Sequence, residues 1–167
     1  MIIRRLKIEE LDDIQALYVH QAAADEDPLN QIQISPKQHA WEMRRIRQQW
    51  LTEQRYLVYV AEDDESDGKL VGYASALIDT QARMFKVGTM ASITELWVLP
   101  EYRKRGIGRA LMEDLFAAID NQGIEWITVH ISGNSPETRR FFDKIGFRQN
   151  AVEMQINLND IAQEPQS

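Results

Sequence analysis

Seven consecutive residues, Arg103-Lys104-Arg105-Gly106-Ile107-Gly108-Arg109, bring four cations and two glycines together in a chain that is acidic overall. That pattern fits an anion cradle. The first turn of a helix leaves backbone N–H groups unpaired and carries the positive end of the helix dipole, so it suits a phosphate or pyrophosphate. Glycine lets the main chain approach phosphate oxygens and reach backbone angles closed to other residues. A basic, solvated helix start whose glycines merely pack closely has the same composition. A nucleic-acid surface fits less well, because the run is short and no aromatic residues alternate with it.

The elements that must hold such a cradle are legible on either side. Ala91 to Leu99 reads as a strand stopped by Pro100, and Gly106 to Gln122 as a helix closed by Gly123. Upstream, Ile2 to Leu6 reads as a short strand, and Glu9 to Ala24 as a helix with Leu11, Ile14, Leu17 and Tyr18 on one face. After a loop from Asp25 to Ile34, a second helix opens on the capping pattern Ser35, Pro36, Gln38 and runs to about Glu53, with Met43, Ile46 and Trp50 on its core side. Tyr56 to Glu62 and Leu70 to Asp79 form a hairpin through a charged turn ending Asp67-Gly68. Downstream, Trp126 to Ile131 is a strand. Ser135 and Pro136 open a short helix with Thr138, Phe141, Phe142 and Ile145 on one face, closed by Gly146. Phe147 to Gln149 and Val152 to Leu158 are expected to form a last antiparallel pair. Strand-helix-strand units favour parallel neighbours and hairpins antiparallel ones, so the order predicts an α/β fold with a mixed sheet and helices on both faces.

The 167 residues suffice for one domain, taken as 1–162, followed by a polar tail, 163–167, expected to be disordered. Zero cysteines exclude disulfides, thiolate-held metals and a thiol nucleophile. No apolar run approaches membrane-spanning length and no apolar segment follows Arg4 and Arg5, so a cytoplasmic protein with no membrane partner is expected. A net charge of −7 disfavours broad contact with nucleic acid and mildly favours cationic small molecules, although many acidic proteins are acidic only for solubility.

The stretch Arg103-Lys104-Arg105-Gly106-Ile107-Gly108 resembles the Q/RxxGxG/A signature of the GNAT superfamily of acyl-CoA-dependent N-acyltransferases. The preceding Glu95-Leu96-Trp97-Val98-Leu99-Pro100-Glu101-Tyr102 is similar to that family's approach to it, and Phe141-Phe142-Asp143-Lys144-Ile145-Gly146-Phe147 to its helix-ending FYxKxGF pattern. The resemblance covers about Ile93 to Leu158. It implies a central mixed sheet of about seven strands with about four helices, in which strands four and five splay apart, often with a bulge in the fourth. It further implies acetyl-CoA as acyl donor and no metal. Arg103, Lys104, Arg105, Gly106, Ile107, Gly108 and Arg109 would hold its pyrophosphate. Unpaired main-chain groups along Leu96, Trp97 and Val98 would pair with its pantetheine arm like an added strand. Asn134 would contact the same arm, one residue out of register with the family's Asn, whose place falls on Ser135, better read as an N-cap. Phe141 and Phe142 would complete the cofactor side, with core packing the alternative, above all for Phe141.

The acceptor implied is an amine on a small molecule or peptide. At a pKa near 10.4 only about one primary amine in 2,500 is neutral at pH 7, so a base is needed. Glu95 is the first candidate: its position resembles that of the base in some family members, and strand alternation sets it beside Ile93 and Trp97, apolar neighbours that would raise its pKa. A solvated or Arg-paired Glu is the alternative. His130, near its strand end, is the second, against an ordinary structural role. Glu62 and Asp79, also at strand ends, are weaker candidates. Phe142 departs from the family, which often has Tyr there to protonate the leaving thiolate. A thiol of pKa near 8.5 leaves well without that help. An acyl-CoA-binding module without turnover, or a binder of another phosphate ligand, would share the cradle. The acceptor pocket would come from the first two helices and the loop from Thr80 to Thr89, with Trp41, Arg44, Arg45 and Met84 either lining it or simply surface and core residues. Similar proteins are commonly homodimers.

Overall fold

The computed structural model describes residues 1–24, 45, 47–50, 52–79, 89–131 and 135–151. They fall in two compact units, residues 1–132 and 133–167. In the first, β1 (Ile2–Arg5) leads through a short 3₁₀ turn to α1 (Leu11–Ala24), and residues 47–50 belong to a helix, α2. Then come β2 (Tyr56–Asp63), β3 (Lys69–Asp79), β4 (Met90–Val98), α3 (Ile107–Asp120) and β5 (Ile127–Val129). The sheet order is β1-β2-β3-β4-β5, antiparallel throughout except for the parallel β4–β5 pair joined across α3. The mixed sheet inferred from the element order is therefore present.

β3 is its spine. Leu70 to Ala76 are buried without a break, which a strand achieves only when both faces are covered. α3 packs across β3, β2, β4 and β1 through Ile107, Leu111, Met112, Leu115 and Ile119, and α1 packs on β3 with Ile14 and Leu17 buried. Gly72 fills a position with no room for a side chain: a β-carbon there would lie 2.8 Å from the Trp97 carbonyl oxygen and 3.1 Å from Val98. Backbone cannot yield as a flexible side chain can, so Gly72→Ala is expected to lower stability by about 1–3 kcal/mol, read as a fall in the thermal midpoint.

Two expectations need correction. The sheet has five strands among the described residues, not about seven. Phe147 to Gln149 is not a strand, while 152–158 lies outside the described residues. The second unit shows why: α4 (Pro136–Lys144) ends with Gly146 left-handed at φ 111°, its N–H on the Asp143 carbonyl at 3.2 Å and the Phe147 N–H on that of Phe142 at 3.0 Å. This is a Schellman termination, and the Phe147 ring seals it edge-on against Phe142 at 5.2 Å. Phe147 is apolar to close a helix, not to extend a sheet.

The second correction concerns β4. Its pairing with β3 shifts between Ser75 and Ala76, so that Ser75 faces Glu95 and Ala76 faces Ile93, which leaves Thr94 as an extra residue. The bulge sends Ile93 to the face opposite Glu95, because a slip of one residue exchanges faces. Glu95 keeps Trp97 as a neighbour and loses Ile93. The Ser75 and Thr94 hydroxyls meet at 2.7 Å across the bulge.

Candidate active site

β4 and β5 pair only at Ala91–Ile127, Ser92–Thr128 and Ile93–Val129. Beyond the bulge, β4 continues to Val98 against β3 alone, so its other side is open among the described residues. Antiparallel partners alternate between positions that exchange hydrogen bonds and positions that do not. Leu99 donates to the Val71 carbonyl at 2.9 Å, which makes Trp97–Tyr73 the next bonding pair and turns the main-chain groups of Leu96 and Val98 away from β3, toward the opening. The splay and bulge thus expose a run of donors and acceptors to which an extended amide chain can add.

The strand then delivers the cradle. A 3₁₀ turn, Pro100–Tyr102, is tied to the β2–β3 hairpin by the Tyr102 hydroxyl donating to Asp63 at 2.8 Å, and the Arg105 guanidinium donates to the Glu101 carbonyl at 2.8 Å. Lys104 at φ 60° and Gly106 at φ 83° are both left-handed. The first bond into α3 runs from the Ala110 N–H to the Gly106 carbonyl at 3.0 Å, so the N–H groups of Ile107, Gly108 and Arg109 are the open donors of that turn. The side chains expected around them are exposed and already engaged. Arg103 donates through Nε to the Val98 carbonyl at 2.9 Å and lies 4.4 Å over the Trp97 ring. Arg109 pairs with Glu113 at 2.8 Å. Arg103 therefore bridges the end of the opened strand and the start of the cradle.

Glu95 lies on the same face of the sheet as Trp97 and Tyr73, partly buried, and accepts a short hydrogen bond from the Tyr73 hydroxyl on Oε2. Burial pushes its carboxyl pKa up, against the Tyr73 hydrogen bond and the positive charge of Arg47, which draw it down. Burial and the neighbouring carboxylate drive the Tyr73 phenol far above its usual range. Arg47 is fully buried on α2, 5.7 Å from the Trp50 ring centre, and Trp50 lies 6.2 Å from the Tyr73 ring. The Trp97 indole N–H is also buried, with no acceptor among the described residues.

Other candidates fall elsewhere. His130 is exposed just past the end of β5. Glu62 is held by Arg4 at 2.5 Å in a network that includes Glu10, which is a structural role. Asp79 is exposed at the end of β3. In the second unit, the ring of Phe142 is buried and packs edge-on against Phe141 at 5.3 Å. The Ser135 hydroxyl meets that of Thr138 at 2.6 Å and makes no capping bond to backbone. Arg45 is an exposed residue of α2. Trp41, Arg44, Met84, Asn134, the start of the second helix at Ser35 and the tail 163–167 lie outside the described residues.

Sequence reasoning missed Tyr73 and Arg47. Tyr73 sits in a strand rich in apolar residues and reads as core. Arg47 carried a signal: three residues before Trp50 and four after Met43, it is a cation inside an apolar stripe.

The opened fourth strand and the left-handed glycine at the next helix start are the local geometry in which the sequence motifs sit, and three comparisons bear on the family. Residues 14–147 match the acetyltransferase (GNAT) family. A glucosamine 6-phosphate N-acetyltransferase of Trypanosoma brucei brucei is 32% identical over 92 residues, spanning 54% of this chain and 59% of that protein. Among solved structures, a predicted acetyltransferase of Clostridium acetobutylicum with acetyl-CoA superposes with a TM-score of 0.75 at 17% identity, over 95% of this chain and 97% of that one. The aminoglycoside 6'-N-acetyltransferase AAC(6')-IG of Acinetobacter haemolyticus does so at 0.71 and 16%, over 94% and 97%. On the family match, which spans most of its length, this chain belongs to the GNAT acetyltransferase family.

Proposed function

We propose that the protein transfers the acetyl group of acetyl-CoA to a primary amine of a small molecule or peptide by direct attack in a ternary complex. The observation that carries this reading is the opening of β4 beyond Ile93, which turns the N–H and C=O of Leu96 and the N–H of Val98 away from β3, a few residues before the open donors of the α3 start, while the Val98 carbonyl is held by Arg103. The donor's diphosphate would lie on Gly106 to Arg109 and its pantetheine along Leu96 to Val98. Glu95, on the strand that holds the arm, would take a proton from the bound ammonium.

The neutral amine then attacks the thioester carbonyl, and a β4 N–H would stabilise the resulting oxyanion, a contribution of about 3 kcal/mol. As the C–S bond breaks, the second nitrogen-bound proton can pass to the departing thiolate, directly or through water. That route needs no acid at position 142, where Phe142 has none to offer. Acceptor identity is the open variable, and amino sugars head the panel because of the glucosamine 6-phosphate relative. Thiol release from acetyl-CoA is expected to rise at least tenfold over the background hydrolysis with one class among amino sugars, aminoglycosides, polyamines, amino acids and peptide N-termini. CoA binding with no stimulation by any amine would instead favour a binding module without turnover.

A further inference from the structure

We propose that Tyr73 and Arg47 are positioning residues for Glu95: the phenol fixes one carboxylate oxygen so that the other receives the acceptor's proton, and the buried guanidinium supplies the compensating charge. The inference rests on the proposed role of Glu95 as base and concerns residues outside the motif region. Tyr73 and Glu95 stand diagonally on neighbouring strands, with Tyr73 one bonding pair further along than Ser75, and the Tyr73 hydroxyl reaches Oε2 from there. Among the described residues no hydrogen bond falls on Oε1, the oxygen assigned to proton exchange. The phenol stays protonated because burial and the adjacent carboxylate both oppose its ionisation, so it remains a donor across the working pH range.

Arg47 comes from the other layer. It is wholly buried on α2 near Trp50, and its charge acts on both Tyr73 and Glu95. A carboxylate removed from water needs such a partner to remain ionised. Around Glu95, the titratable or charged groups acting on it among the described residues are Tyr73 from β3 and Arg47 from α2. Its own strand contributes Thr94 and Trp97, which do not titrate.

The test compares Tyr73→Phe, Arg47→Met, Arg47→Lys and Glu95→Gln in the full chain, with the acceptor found in the amine panel. The acidic limb of the kcat/KM profile is expected to move up by about one pH unit in Tyr73→Phe and by one or more in Arg47→Met, with the KM for acetyl-CoA unchanged. Arg47→Lys should restore the limb, since it restores the charge. A ¹³C titration of the Glu95 carboxyl should show the same shifts without turnover. It decides the matter through Tyr73→Phe even if Arg47→Met does not fold. A limb and carboxyl titration unmoved in Tyr73→Phe, with Glu95→Gln inactive, would overturn this inference and leave the base intact. Full activity in Glu95→Gln would instead remove the base reading itself.

Discussion

Glu95→Gln is expected to lower amine-dependent thiol release by roughly 10²–10⁴-fold at pH 7 while changing acetyl-CoA affinity by less than threefold. Glutamine keeps the size of the side chain and can still accept from the Tyr73 hydroxyl, so the variant removes the proton acceptor and little else. The sign of the pH dependence follows from the same surroundings. A base works when ionised, and burial raises the Glu95 pKa, so activity should fall as pH drops through a value above the ordinary carboxylate range. That acidic limb should vanish in the Gln variant. Kinetics at saturating acetyl-CoA across pH 5 to 9, with the same amine throughout, checks both statements. An unchanged rate would return the role to His130 or to water.

How far this site was legible before its geometry was known depends on the range of each interaction. The α3 start is local: Pro100, Gly106 and Gly108 announce it within nine positions, and glycine permits the left-handed conformation found at Gly106. The helix end at Gly146 is local too. The neighbours of Glu95 are not. The bulge at Thr94 depends on how β4 registers against β3, and alternation read along one strand cannot see a register shift against its partner. It therefore set Ile93 beside Glu95, when the true neighbour is Tyr73, 22 positions away in sequence. Arg47 needed a contact across layers. The missing strand at Phe147 is a subtler failure, because an aromatic that closes a helix by packing back on Phe142 has the same signature as one that starts a strand. Short motifs thus read the local geometry of the α3 start well, and of the surroundings of Glu95 only Trp97.

Gly106→Glu should raise the Kd for CoA by about 100-fold, or roughly 2.7 kcal/mol. Two effects add. At φ 83° a residue with a β-carbon is strained by about 1–2 kcal/mol, and relief of that strain would rotate the first-turn donors out of position. The carboxylate also places a negative charge where the diphosphate is to sit, beside donors that are otherwise open. Steric clash does not contribute in the free protein, since nothing lies within 4 Å of a β-carbon built there. Gly106→Ala, which carries the strain without the charge, should therefore lose about tenfold or less, and the pair separates geometry from electrostatics. The more searching comparison uses acetyl-pantetheine, which has the arm but no diphosphate. Its turnover should be the same in wild type and Gly106→Glu, because the opened edge of β4 is untouched. Calorimetry with CoA and kinetics with the truncated donor give both readings, and a Gly106→Glu protein that kept full CoA affinity would mean the diphosphate lies elsewhere.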